Sequence, residues 1–132
     1  MSTIGDKTSP ELERIATAVV DAAYKVYRAL GPGLLESVYE ACLFYELTRR
    51  RLKVQRQVQL PIVYDGLALE CGLILDLLVE DQLIVELKAV EKHNDLYDAQ
   101  LLTYLKLANK QLGILINFNV RLFKNGVKRI IL

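Results

Sequence analysis

The stretch LILDLLVEDQLIVELKAV, residues 73–90, limits the fold more than any other part of the chain. It reads as two apolar strands joined by an acidic tip, Glu80-Asp81. Within those strands stand Asp76, Glu86 and Lys88, charged groups where a core strand normally carries aliphatics. A buried charge is costly unless it has a partner, a bound metal or an opening to solvent. Period-2 geometry puts Glu86 and Lys88 on one face of their strand and Val85, Leu87 and Ala89 on the other. A carboxylate from one strand and Glu-x-Lys from the next suit metal-dependent phosphodiester chemistry. Two hard oxygens hold a divalent cation, and an ammonium lies beside the scissile phosphate or the attacking water. The plain alternative is an ion pair, Glu86–Lys88 or Asp76–Lys88, that only satisfies itself.

The hairpin makes a geometric demand. A two-residue turn at Glu80-Asp81 would pair Asp76 with Val85 and point it away from Glu86's face. A three-residue connection, Glu80-Asp81-Gln82, sets Asp76 opposite Glu86. An odd-length loop, or a bulge with the same result, is therefore expected.

The 132 residues form one domain, 1–132, with the polar residues 1–8 expected to be frayed. A chain of this length buries roughly two-thirds of its unfolded surface around one core. A content of 52% hydrophobic and 25% charged residues excludes an intrinsically disordered chain. The net charge of +1 does not announce a nucleic-acid binder, but its distribution is uneven. Arg49, Arg50, Arg51, Lys53 and Arg56 form a basic run, the tail from Lys106 is basic, and acids dominate from Asp65 to Asp98. That pattern suits an acidic metal pocket flanked by basic surface; ordinary solvated charge suits it equally. Cys42 and Cys71 have neither metal-ligand spacing nor a disulfide framework, so reduced thiols and a cytoplasmic location are expected. Neither a signal peptide nor a membrane span is legible.

Ser9-Pro10 with Glu11 and Glu13 opens a first helix that runs to about Ala29, where Gly31-Pro32-Gly33 forces a turn. A second helix spans about Leu35 to Arg51, with Leu35, Val38, Tyr39, Cys42, Leu43 and Leu47 as its buried stripe. Glu36 sits in its first turn, where complementing the helix dipole would already explain it. Strands follow at Val54–Val63, with Pro61 marking an edge or bulge, then Leu67–Val79 and Leu83–Val90. A helix from about Asn94 to Ala108 is expected to bury Leu96, Ala99, Leu102 and Leu105 or Lys106. The apolar run Leu112–Phe118 reads as a central strand, and Val127–Leu132 as a last one, in a hairpin with 121–123.

Three motifs in this order, Gly33-Leu34-Leu35-Glu36-Ser37-Val38-Tyr39, LLVEDQLIVELKAVEK and AQLLTYLK, make the chain similar to the GxxExxY group of the PD-(D/E)XK nuclease superfamily. The resemblance covers about residues 12–132. It implies an α/β (α+β) domain: a mixed central sheet flanked by helices, with a restriction-endonuclease-like αβββαβ core and an extra N-terminal helix. It also implies hydrolysis of nucleic-acid phosphodiesters, DNA more than RNA, with Mg²⁺ as cofactor and Mn²⁺ as a substitute. Metal ligands would be Glu36, Asp76, Glu86 and the carbonyl of Leu87. Lys88 would act as electrostatic catalyst and Gln100 would orient water or a phosphate oxygen. Tyr39, Tyr97 and Tyr104 are associated with the site, Tyr104 as the i+4 neighbour of Gln100. The basic run Arg49–Arg56 would meet the phosphate backbone. A homodimer is compatible with this reading.

The chain departs from the group at Ile74, where many relatives carry Arg, and at Tyr97, where they carry His. His93, the only histidine, is expected in the loop before the helix and not to substitute. The alternative is therefore a catalytically weakened or inactive nucleic-acid-binding or protein-interaction module on the same fold.

Overall fold

The computed structural model describes residues 8–132, so the expectation of a frayed segment lies, Thr8 apart, outside the described residues. Helix α1 spans Pro10–Leu30; the Ser9 hydroxyl accepts the Leu12 N–H at 3.1 Å to cap it. Gly31 and Gly33, at φ 72° and 101°, turn the chain into α2, Glu36–Arg49. Strands β1 (Val54–Tyr64) and β2 (Leu67–Val79) form a long hairpin, followed by β3 (Leu83–Lys88). Helix α3 (Asp95–Ala108) crosses over to β4 (Leu112–Asn117), which lies parallel to β3. A 3-10 turn at Phe123–Gly126 leads into β5 (Val127–Ile131), antiparallel to β4. The mixed sheet has the order β1-β2-β3-β4-β5. Among the described residues, no helix is long and apolar enough to cross a membrane.

Two cores sandwich the sheet. Leu77, Val79, Val85, Leu87, Ile114 and Ile116 pack beneath α1 and α2. Leu73, Leu75, Leu78, Ile84 and Leu115 pack beneath Leu101 and Leu105 of α3. Pro61 sits on the edge strand β1, beside a register shift between Leu60 and Ile62.

Alternation within β2 breaks at one point. Leu77 and Val79 join the α1/α2 core, whereas Leu75 and Leu73 join the α3 core. Residues two apart on a regular strand share a face, so the strand inverts at Asp76. The opposing position on β1, between the pairs Arg56↔Leu77 and Val58↔Leu75, is Gln57, whose φ is 50°. A left-handed residue lets the ribbon coil here without a glycine, at a local backbone cost.

Three expectations need correction. In α2 only Tyr39, Leu43 and Leu47 are fully buried with Glu40, while Leu35 is 72% exposed and Val38 is also exposed. Leu35 is the residue before the helix, held at the Gly-Pro-Gly turn, so the stripe starts one turn later. In α3 the buried positions are Leu101 and Leu105, flanked by Tyr97, Tyr104 and Ala108; Leu96 and Leu102 face solvent. Leucines all round this helix made its phase ambiguous, and tyrosines, apolar in body, complete the true stripe. Residues 121–123 form no hairpin with β5. Phe123 instead starts the 3-10 turn and packs between Tyr24 and Tyr27, with ring centroids 5.4 and 5.5 Å away.

Candidate metal centre and its surroundings

The connection from β2 to β3 is three residues, Glu80-Asp81-Gln82, with Glu80 and Asp81 at φ 53° and 55°. The ladder pairs Val79 with Leu83, Leu78 with Ile84 and Leu77 with Val85, and the next pair in that register is Asp76 and Glu86. There the backbone ladder gives way to side chains. The Asp76 N–H donates to Glu86 Oε2 at 2.8 Å, and the Leu87 N–H donates to Asp76 Oδ2 at 2.8 Å. The two strands part at this point, and the gap between them is lined by carboxylate oxygens. A strand residue sends its N–H and C=O to the same side, so the Leu87 carbonyl faces this gap too.

Glu36 joins from α2, at the end of the Gly31–Gly33 turn. The Tyr39 hydroxyl locks that turn: it donates to Gly31 O at 2.6 Å and accepts the Leu34 N–H at 3.1 Å. The Tyr39 ring is fully buried and stacks on Phe118, centroids 4.4 Å apart and planes within 3°. Tyr39 is thus a brace for the helix that carries Glu36. The Glu36 carboxylate lies near the Ala89 backbone and feels the charge of Asp76 and Lys88.

All three carboxyls hold their protons more tightly than usual. Burial raises Glu36, and the charge of Asp76 adds to it. Asp76 is raised mainly by burial, partly offset by the bond from Leu87. Glu86, only 6% exposed, is pushed up to about 8 by burial and then by Asp76. Negative charge is concentrated here with too little protein cation to neutralise it. An all-oxygen donor set with no thiol or imidazole in it matches Mg²⁺ or Mn²⁺.

Lys88 is half-buried; its Nζ lies 4.4 Å from the centroid of the Tyr97 ring and, among the described residues, makes no ion pair. The self-satisfied Glu86–Lys88 or Asp76–Lys88 pair is therefore not formed. Tyr104 is half-buried on α3, its hydroxyl proton held more tightly by burial and by the charges of Glu86 and Asp76. Gln100, one turn earlier, is exposed.

Two residues of this cluster escaped the sequence reading. Glu40, one helical turn after Glu36 and 8% exposed, accepts from Gln57 Nε2 at 2.6 Å and from Arg56 Nη2 at 3.1 Å. Gln57 Nε2 also reaches Asp76 Oδ1 at 3.5 Å. The i, i+4 spacing of Glu36 and Glu40 was a readable signal; the approach of Gln57, which depends on its positive φ, was not.

The basic run is divided. Arg56 is taken up by Glu40 and lies over Phe44, 5.1 Å from its centroid. Arg50 pairs with Asp21 at 2.8 Å, and Arg49 lies near Glu46 and over Tyr45. Arg51 and Lys53 are exposed, with no ion pair among the described residues.

On the other side of Lys88, His93 sits edge-on to Tyr97, ring centroids 6.0 Å apart, with its Nε2 2.8 Å from Asp98 Oδ1. His93, Asp95 and Asp98 bring ligand atoms within 4.8 Å of one another, but the Lys128 ammonium already occupies Asp98 and opposes a cation there.

The family model of the PD-(D/E)XK nuclease superfamily matches residues 13–130 of the chain. No curated protein and no solved structure gives a match.

Proposed function

Because the chain belongs to the PD-(D/E)XK nuclease superfamily, we propose that it is a Mg²⁺-dependent nuclease hydrolysing nucleic-acid phosphodiester bonds, DNA in the first place. Within the superfamily we assign it to the GxxExxY group, on Gly33, Glu36 and Tyr39. The observation that carries this reading is the crossed pair of bonds, Asp76 N–H to Glu86 and Leu87 N–H to Asp76, which aims two carboxylates into one opened strand gap.

Asp76, Glu86, Glu36 and the Leu87 carbonyl would hold the cation. When bound, Mg²⁺ would polarise the phosphate and lower the pKa of water. The chain's own residues do the rest. The crossed bonds fix the orientation of both carboxylates before any ligand arrives, so little reorganisation accompanies binding. Lys88, two residues after Glu86 and on the same strand face, lends an uncommitted ammonium to charge developing on the phosphate. Tyr97 holds that ammonium in place through its ring. Gln100, exposed one turn from Tyr104, is assigned to orienting water or a phosphate oxygen. Arg51 and Lys53 are assigned to the backbone of the polymer, a salt-sensitive contact indifferent to sequence.

Tyr97 favours a second reading. A tyrosine stands where the resembling group carries His, so a proton-transfer group is replaced by a ring that engages Lys88. A nucleic-acid-binding module with weakened catalysis would keep everything else.

The test is a calorimetric Mg²⁺ and Mn²⁺ titration of the wild type and of Asp76→Asn with Glu86→Gln, followed by cleavage assays with Lys88→Ala. Saturable binding lost in the double variant, with cleavage lost in Lys88→Ala, is the expected result. Metal binding without cleavage of any polymer would favour the second reading.

A further inference from the structure

Lys88 borders a second space. A cleft of about 440 Å³ opens beyond it, lined among others by His93, Tyr97, Val120, Asn125 and Lys128. Its polar lining holds Lys88 from β3, Lys128 from β5 and the Glu91 carboxylate; Asp98 pairs with the Lys128 ammonium, while its buried Oδ1, 2.8 Å from His93 Nε2, makes no hydrogen bond. Lys128 keeps half of its side chain open to solvent despite that contact. Val90, Leu115, Val120 and Val127 add apolar lining, and the Asn125 side-chain amide has no hydrogen-bond partner among the described residues. Two lysines, which outnumber the one carboxylate of the lining, with apolar surface and an uncommitted amide, are what a phosphate, a base face and a base edge require.

Size narrows the ligand. The volume lies in the range that accepts a small ligand or a single nucleotide, whereas a base pair with both its backbones needs a groove open along its length. We propose that this cleft binds one nucleotide of a single strand next to the phosphate at Lys88, so that the substrate is a single-stranded or frayed end and not an intact duplex. The inference rests on the nuclease reading for the identity of the polymer. Lys88 is then the shared boundary of two compartments: the carboxylate gap acts on one phosphate, and the cleft holds the neighbouring unit.

The experiment is fluorescence anisotropy in metal-free buffer with three labelled probes: single-stranded oligothymidylate, a blunt duplex, and the same duplex with a single-stranded tail. The wild type should bind the single strand and the tailed duplex about tenfold more tightly than the blunt duplex at equal salt. Lys128→Glu, at an exposed position, should remove that preference, and so should Val120→Trp, which fills the cleft; circular dichroism verifies that each is folded. Equal affinity for all three probes, or a preference that survives in both folded variants, overturns the proposal. Cleavage assays with Mg²⁺ separate it from the nuclease reading. A single-strand preference without cleavage leaves the cleft standing and removes hydrolysis, whereas cleavage without any preference does the reverse.

Discussion

The backbone N–H of Asp76 is held by the carboxylate of Glu86 at 2.8 Å, where the ladder of β2 and β3 would otherwise continue. A proposed metal ligand that also takes the place of a ladder bond would serve fold and site together. Glu86→Gln keeps an acceptor for that bond and removes the charge. The variant should therefore stay folded, lose Mn²⁺ binding in calorimetry and lose cleavage.

The same variant should change the pH dependence of stability. The folded Glu86 has its pKa raised from 4.5 to about 8, so between those values the folded protein keeps a proton that the unfolded chain has released. Its contribution is full below 4.5 and is lost as the pH rises through about 8. Asp76 and Glu36 are raised too and act with the same sign. Metal-free urea unfolding should give a midpoint that falls from mildly acidic to mildly alkaline pH, and Glu86→Gln should flatten most of that slope. An unchanged slope would count against the buried, protonated carboxyl.

Lys88→Ala removes an ammonium that has no ion-pair partner among the described residues, so it should leave metal affinity and folding nearly intact. It should lower kcat by about 10²–10³-fold with little change in KM, the pattern of a contact made in the transition state. Steady-state kinetics on a cleavable substrate measures both.

Two changes at the turn before α2 separate bonding from backbone strain. Tyr39→Phe deletes the hydroxyl that joins Gly31 to Leu34 and should cost about 1–3 kcal/mol in chemical denaturation. Gly33→Ala meets no atom within 4 Å, so its loss, about 1–3 kcal/mol, reports the φ of 101° alone. Both should weaken Mn²⁺ binding, because the turn sets the direction of Glu36.

Much of this architecture was legible from local rules. Ser9-Pro10 marked the start of α1, and Asp76, Glu86 and Lys88 stood out as charges within apolar strands. The parity of the hairpin loop followed from the requirement that both carboxylates share a face. Other features depend on tertiary contacts that no short window encodes. The phase of α3 was set by which leucines meet the sheet, the 3-10 turn by the tyrosines of α1 that receive Phe123, and the Glu40–Gln57–Asp76 chain by an inversion of the ribbon. His93 lies in the loop before α3, as expected, but its place in the cleft beside Lys88 depends on β3 and β5, which no short window encodes.

The inversion at Asp76 and Gln57 separates what the ribbon does from where it goes. Inward of it, side chains are committed to the α1/α2 core and to the carboxylates; outward, the hairpin runs to Tyr64 and Leu67, 73% and 58% exposed. An insertion or deletion near that tip shifts nothing in the register of Leu77–Val79 with Leu83–Val85. The outer hairpin is thus a part that evolution or an engineer can lengthen, trim or refit while the geometry of the carboxylate gap stays as it is.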